Sequence, residues 1–284
     1  MTDIRARYER YSGLFGLEVD VTVNRPVGSS PRDKRGKVFR HRKYPVNCGY
    51  LTESVLPDGS FRKPVYPEFQ YAYILGVDEP VTSFHGRIIA VLHRETDDGT
   101  EDMLPPGTLT ENDRLIVAPL DREFYEPDIR ASVAFAERSR RFRLFCMFEK
   151  SCGAVVYTVR DGKLLYLLIR NRSGHIGFPK GHVELGEDER MTMKREISEE
   201  TALSVEPDLA FREEYQYVLW NIVHKTAVYS LASFRDGETV ETMENEIFGD
   251  WLLPYPEARR MLSYENDRRI LDHADAWLRG KHQI

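Results

Sequence analysis

The residues able to do chemistry crowd into one stretch, GHVELGEDERMTMKREISEETAL, residues 181–203. On a helix, Glu196, Glu199 and Glu200 stand at i, i+3 and i+4, so three carboxylates project from one face. Like charges at that spacing destabilise a helix by about 0.2–0.5 kcal/mol per pair, so stability gives no reason to place them there. A bound divalent cation reverses the sign of the interaction. Carboxylate oxygens suit a hard ion, and Mg²⁺ is usually held by a few carboxylates, waters and substrate phosphates. Glu187, near the start of the same helix, can add a carboxylate, and Arg195, four residues before Glu199, can hold that side chain with a charge-assisted hydrogen bond. The plainer reading is a solvated acidic helix, since Glu is a good helix former. The flanking loop turns the balance. Gly177, Gly181 and Gly186 permit unusual backbone angles beside the helix, and Lys180 and His182 place donors next to the carboxylates. Flexible backbone, cationic donors and an acidic helix together suit a metal-bound polyphosphate.

Residues 181–203 resemble the Nudix box, G-x5-E-x7-R-E-U-x-E-E-x-G-U, where U is a bulky apolar residue. Gly181, Glu187, Arg195, Glu196, Ile197, Glu199, Glu200 and Leu203 fall in register, and Ala202 stands where the pattern has Gly. That departure bears on the turn after the helix more than on the chemistry. The resemblance to a whole Nudix domain covers roughly residues 145–284. It implies hydrolysis of a nucleoside diphosphate linked to another group, with Mg²⁺ or Mn²⁺ as cofactor. It makes Glu196, Glu199 and Glu200 metal ligands, one of them a candidate base. It has Arg195 orient a glutamate, the Gly181 carbonyl approach the metal and Glu187 support these ligands. Metals of this kind neutralise charge on bridging phosphates and lower the pKa of a bound water. Lys180 could add to the charge stabilisation. Many members also use an acidic residue outside the box; Glu244 and Glu246 are the candidates, with an exposed turn in ETMENE an equal alternative.

Within that family, FPKGHVELGED is similar to the diadenosine polyphosphate hydrolase branch, and KTAVYSLA, residues 225–232, looks like that branch's strand carrying a Lys and a Tyr. The similarity implies that Lys225 contacts phosphate and that Tyr229 or Tyr217 stacks on a base, with Lys180 and His182 as further substrate-binding candidates. Stacking on an aromatic ring is worth roughly 1–3 kcal/mol per base. The plainer reading of each Tyr is a half-buried strand residue. Dinucleoside polyphosphate is the leading substrate class, with a nucleoside triphosphate or a nucleotide sugar as alternatives.

These residues need elements to hold them. CGAVVYTV and KLLYLLIR read as strands joined by Asp161-Gly162, a hairpin turn pair. The acidic helix is expected from about Glu187 to Thr201, followed by strands in FREEYQYVLW and HKTAVYSLASF. The C-terminal end is expected to be a helix with Ile270, Leu271, Ala274, Trp277 and Leu278 on one stripe. Upstream, LEVDVTV, QYAYILGV, GRIIAVLH and LIVAP are strand-like runs between turn-prone stretches, and PDIRASVAFAERSRRF reads as a helix up to Phe142. The fold class is therefore α+β in two domains: a small N-terminal β-barrel, residues 1–143, and a C-terminal α/β/α sandwich of the Nudix kind, residues 144–284.

The N-terminal half also resembles a small branch of the soluble inorganic pyrophosphatases through VTVNRPVGS, YPVNCGYL, PDGS, YAYILGV and GRIIAVLHR, over about residues 18–120. That family's site needs several carboxylates holding Mg²⁺ around pyrophosphate. Here Asp58 stands in PDG, but an insertion follows and Gln70 takes the place of an expected aspartate, with Glu68 a possible substitute. Asp97, Asp98, Asp102 and Asp113 supply carboxylates further on, Arg114 stands where Lys is usual, and Arg25, Lys43 and Tyr50 could bind phosphate. A degenerate domain is expected, left with binding a phosphate ligand, positioning substrate or forming a homodimer.

Composition limits the remaining options. Across 284 residues, 40 Lys plus Arg against 46 Asp plus Glu give a net charge of −6, which disfavours nucleic acid or an anionic membrane as the main partner. The basic stretches at 31–43 and 137–143 read as solvated segments. Cys48, Cys146 and Cys152 form neither a disulfide framework nor a paired metal-binding spacing. No apolar run approaches the roughly 20 residues of a membrane span, and the start carries no apolar signal core, so a cytoplasmic location is expected. Two further readings stay beside a Nudix hydrolase acting on a nucleotide. One is a bifunctional triphosphate pyrophosphohydrolase plus pyrophosphatase; the other is a nucleotide-sensing binding protein.

Overall fold

The computed structural model describes residues 4–31, 35, 37–38, 42–51, 54–55, 61–62, 70–95, 109–241 and 247–282. Glu246 and Glu244 lie outside the described residues, as do Asp58, Glu68, Asp97, Asp98 and Asp102 and part of the basic stretch at 31–43. The chain divides into two units, residues 1–149 with 218–224, and residues 150–217 with 225–284.

The first unit begins with α1 (Ile4–Tyr11), an element with no clear signal in the sequence. It continues with β1 (Glu18–Arg25), β2 (Asn47–Leu51), the short pair β3 (Ser54–Val55) and β4 (Phe61–Arg62), β5 (Tyr71–Ile74), β6 (Ser83–Arg94) and β7 (Asp113–Ala118). Then come α2 (Glu126–Glu137) and β8 (Phe142–Cys146). The order β1-β2-β5-β7-β6 closes on itself because β6 also pairs with β1. Only β5 and β7 run parallel; the other barrel pairings are antiparallel. Closure removes the sheet edges. Alternate residues Val19, Val21 and Val23 of β1 turn inward and meet Ile74, Ile88, Val91, Leu115 and Val117, with Tyr8, Tyr11 and Leu14 in the same cluster. The other face of β6, with Ile89 and Leu92, packs against Ile129 and Val133 of α2. α2 stops at Glu137, earlier than its charge and apolar spacing predict, because Phe142–Cys146 joins β6 as a strand. Asp113, expected as a loop carboxylate, is instead buried at the start of β7. It accepts from Tyr11 Oη at 2.9 Å and from the Thr110 amide at 2.7 Å, with His93 Nδ1 at 2.8 Å.

The second unit holds most of β9 (Phe148–Arg160), then β10 (Lys163–Asn171), β11 (Ile176–Gly177), β12 (Lys180–His182) and α3 (Glu189–Thr201). They are followed by β13 (Glu206–Leu219), β14 (Val223–Ser233), β15 (Ile247–Pro254), α4 (Tyr255–Met261) and α5 (Glu265–His282). The sheet runs β11-β10-β9-β14-β13, with β12 paired to β9 and β15 to β10. Asp161 and Gly162 have φ of 50° and 70°, the left-handed pair that a two-residue hairpin turn requires. The period of two along each strand separates two cores. Val155, Tyr157, Tyr166, Leu168 and Leu231 pack against Ala258, Ile270, Leu271 and Leu278 of α4 and α5. Ala154, Val156 and Leu167 face Ile197 of α3. Helices therefore cover both faces of the sheet, giving an α/β/α sandwich. Trp277 departs from the expected stripe: it is 44% exposed and meets Phe211 edge-on.

Candidate active site

Asp188 caps α3, accepting the Met191 amide at 2.8 Å, which is why the helix starts at Glu189 and leaves Glu187 in the preceding turn. Ala202 ends it in the left-handed region, φ 58°, with its N–H donating to the Ser198 carbonyl at 2.9 Å. The turn is thus kept although Gly is absent. Met193, Ile197 and Thr192 bury one face of the helix, Glu196 lies against Gly181 of β12, and Glu199 stays half exposed beside Arg195.

Arg195 organises the cluster. Its Nε donates to Glu187 Oε1 at 2.7 Å and its Nη2 to Glu187 Oε2 at 2.9 Å, a bidentate pair. Its Nη1 donates to Glu196 Oε1 at 2.6 Å and to Glu199 Oε2 at 3.1 Å. Nη2 also donates to the His182 carbonyl at 2.8 Å, which ties helix to loop. The spacing indicated the Glu199 contact; Glu187 and Glu196 are added by the fold. Glu187 is further held by Thr192 Oγ1 at 2.8 Å and by the Glu184 amide at 3.1 Å. These donors, Arg195 first, hold its carboxyl down at about 2 despite partial burial. Glu196 is displaced the other way. Burial pushes its pKa up, and the nearby Glu199 and Glu187 charges add to this, while Arg195 opposes them.

β12 brings the loop to the helix. Lys180, Gly181 and His182 pair with Gly153, Cys152 and Ser151 of β9. A Cβ on Gly181 would overlap the Glu196 carboxylate, so only glycine lets the loop backbone lie against that side chain. The Lys180 amide donates to Glu200 Oε2 at 2.9 Å. Lys225 Nζ stands 3.2 Å from His182 Nε2. The structure thus gathers Glu187, Arg195, Glu196, Glu199, Glu200, Lys180, Gly181, His182 and Lys225 around the loop-helix junction.

The tyrosines separate. Tyr229 is fully buried, its ring edge-on to Phe178 at 5.7 Å and stacked with Tyr215 at 6.0 Å, so it cannot stack on a base as expected. Its place on the apolar face of β14 decides this. Tyr217 is half-buried beside Tyr215, with ring centroids 5.7 Å apart. Tyr215 was not singled out by the sequence, nor was Asp267 of α5. Asp267 is buried, accepts from Tyr215 Oη at 2.9 Å and Tyr229 Oη at 3.5 Å, and is raised in pKa by burial. A second unforeseen set is Glu189 with Arg212 and Lys150: Arg212 binds it at 2.8 and 2.9 Å and Lys150 Nζ lies at 2.7 Å. No local spacing links these residues, because they meet only through strand pairing.

Three carboxylates, Glu187, Glu196 and Glu199, surround the single guanidinium of Arg195, and Glu200 is held by the Lys180 amide. Among the described residues no three His, Cys, Asp or Glu side chains form a ligand group by themselves. Arg195 draws Glu196 and Glu199 toward itself. The donor set nevertheless fits a hard divalent ion, because such an ion needs only one or two carboxylates when substrate phosphates supply the rest. Burial, with the Glu199 and Glu187 charges adding to it, raises the Glu196 pKa, and a bound cation would oppose that shift.

Residues 147–274 match the NUDIX domain family. Among curated proteins, the chain is 33% identical over 165 residues to "Putative mutator protein MutT4" of Mycobacterium tuberculosis, a match covering 52% of this chain and 66% of that protein. It is 27% identical over 143 residues to the bis(5'-nucleosyl)-tetraphosphatase [asymmetrical] of Sus scrofa, covering 46% of this chain and 97% of that enzyme. Among solved structures, the Ap4A hydrolase binary complex of C. elegans aligns at 26% identity and a TM-score of 0.44, over 46% of this chain and 98% of that one.

Proposed function

We propose that the NUDIX domain at residues 147–274 hydrolyses a phosphoanhydride bond of a nucleoside polyphosphate, with a dinucleoside polyphosphate as substrate and Mg²⁺ or Mn²⁺ as cofactor. The observation that carries this reading is the Arg195 clamp, which fixes Glu187, Glu196 and Glu199 around a glycine that admits the loop backbone. The similarity to a bis(5'-nucleosyl)-tetraphosphatase over nearly its whole length supports the substrate class.

In the reaction, a water oxygen bonds to phosphorus, the bridging P–O bond breaks, and the leaving phosphate takes the electron pair. A divalent ion, when bound by Glu196, Glu199, Glu200 and the Gly181 carbonyl, supplies charge neutralisation and acidifies water. The protein's own groups do the rest. Glu199, whose side chain is 51% exposed, can face the attacking water and accept its proton. Arg195 and Glu187 keep the carboxylates in fixed rotamers, so little reorganisation is needed during reaction. Lys180, His182 and Lys225 offer donors to the phosphate chain, and half-buried Tyr217 is the ring assigned to stack on a base.

A hydrolysis screen of dinucleoside polyphosphates, nucleoside triphosphates and nucleotide sugars with Mg²⁺ and Mn²⁺, with products separated by chromatography, tests this. Cleavage of a dinucleoside polyphosphate into two nucleotides is expected. Glu199→Gln is expected to lower kcat about 10²–10⁴-fold, the usual weight of a general base, with Glu200→Gln also strongly impaired. Full activity in both variants would remove the assignment. Pyrophosphate released from a triphosphate would instead favour a pyrophosphohydrolase.

A further inference from the structure

Helix α5 carries a buried carboxylate that the reaction described above does not use. Asp267, in the first turn of the helix, is 3% exposed. Its Oδ1 accepts from Tyr215 Oη at 2.9 Å and from Tyr229 Oη at 3.5 Å. Among the described residues its Oδ2 makes no hydrogen bond and no ion pair. Oδ2 stands 3.3 Å from where a Cβ on Gly177 would lie, so the carboxylate abuts the backbone of β11. Ser263, just before α5, ties the helix to the same strand. Its Oγ accepts from the Ile176 amide at 2.8 Å, and its own amide donates to the Ile176 carbonyl at 3.0 Å. Burial raises the Asp267 pKa, while the Tyr215 hydroxyl and the Lys180 charge oppose the shift. Asp267 therefore stands beside the loop that carries Lys180 and Gly181.

A carboxylate in such a place is costly, and an apolar side chain of similar volume is often as stable or more so. Ile270, Leu271 and Ala274 of the same helix fill the core without polar side-chain atoms. Packing therefore does not account for Asp267. What the carboxylate does hold is one ring. Tyr215 lies nearly parallel to Tyr229, at 20° with centroids 6.0 Å apart, and meets Tyr217 at 37° and 5.7 Å. Tyr229 is fixed by the core. Tyr215 and Tyr217 are half-buried and alternate along β13, so they share a face of the strand. Without its bond to Asp267, Tyr215 would be held by stacking alone, and Tyr217 would lose a fixed neighbour.

We infer that Asp267 is a positioning residue for nucleobase binding: through Tyr215 it fixes the wall against which Tyr217 is held ready to stack on a base. The inference rests on the assignment of Tyr217 under the proposed function. Asp267 itself touches no reacting atom. Its effect is preorganisation, because a ring already held in place spares the complex the entropy of ordering it.

Isothermal titration of the full chain with a methylene-bridged diadenosine tetraphosphate in Mg²⁺ tests this, beside steady-state turnover of the cleavable compound. Tyr215→Phe keeps the ring and removes the donor. It is expected to weaken binding about fivefold, the weight of one hydrogen bond, and to raise KM alike with kcat unchanged. Asp267→Leu is expected to lose as much, and Asp267→Asn, which keeps an acceptor for the hydroxyl, to restore most of that loss. In a Tyr217→Ala background neither Tyr215→Phe nor Asp267→Leu is expected to weaken binding further, because the ring they position is gone. A merely structural role would weaken binding equally in both backgrounds. Full affinity in Tyr215→Phe, or an undiminished loss in the Tyr217→Ala background, would overturn the inference. Tyr215→Phe decides alone if Asp267→Leu unfolds. A wild type that does not bind the analogue would overturn it as well. Binding with the expected pattern among the variants but no turnover would overturn the hydrolase reading and leave this inference standing.

Discussion

Arg195 satisfies three glutamates and a loop carbonyl with one guanidinium, so its loss should disturb orientation more than folding. Gly181 offers the cleaner probe. Gly181→Ala drives a methyl group into the Glu196 carboxylate, and a misplacement of this size can cost about 10²-fold in rate. Steady-state kinetics beside an unchanged unfolding midpoint would separate this from a folding defect. Ala202 is a residue-scale cost of the opposite kind. A left-handed backbone costs an L-residue roughly 1–2 kcal/mol, so Ala202→Gly should stabilise the protein by about 1 kcal/mol with activity intact, measured by urea unfolding. Among the carboxylates, Glu189 links protonation to stability. Arg212, helped by Lys150, holds its pKa at about 2, below the roughly 4.3 of an unfolded glutamate. A depressed pKa stabilises the fold above the unfolded value and loses that contribution as pH falls toward the folded one. The stability gap between wild type and Glu189→Gln, followed by urea unfolding, should therefore be full at pH 7 and shrink between about pH 4.3 and 2.

At the scale of elements, each strand decides which side of the sheet a side chain joins. Tyr229 and Tyr217 both looked suitable for a base, yet β14 carries Tyr229 into the core while β13 leaves Tyr217 half-buried. Tyr217→Ala should raise KM about tenfold with kcat little changed, in keeping with the loss of one stacking partner. Tyr229→Phe should keep both, since its ring packs in the core. In the barrel, Asp113 joins β7 to α1 and β6 through Tyr11, His93 and Thr110. Asp113→Ala removes the acceptor from a buried network and should cost about 3–5 kcal/mol in urea unfolding. The turn elements were legible from residues: Asp161-Gly162 makes the left-handed hairpin turn its composition predicts. Helix α4 was not, because seven residues carry too little periodicity.

For the whole molecule, the chain divides into two units after residue 149, where the sequence placed a boundary after residue 143. The division also assigns residues 218–224 to the first unit, where Val223 joins the Tyr8 and Tyr11 cluster. No reading of neighbouring residues foresees that, because the segment lies far along the chain from the unit it completes. The net charge of −6 is unevenly spread: an acidic cluster surrounds Arg195 in one unit, and Arg25, Arg94 and Arg114 line one cavity in the other. Among the described residues no helix is long and apolar enough to cross a membrane.

The sequence by itself determined the helix-borne carboxylates, the pairing of Arg195 with Glu199, the flanking glycine loop and the hairpin that precedes it. All of these rest on spacings within one turn of helix or one turn of chain, where geometry is nearly fixed. Only the tertiary structure decided that Glu196 lies against Gly181, that Tyr229 is core and Tyr217 is not, and that Asp113 is a buried anchor. It alone brought Arg25, Arg94 and Arg114 to one cavity. The reason is the same in each case: these contacts depend on sheet register and barrel closure, which join residues far apart in the chain, and a one-residue shift of register would reverse every side chain involved.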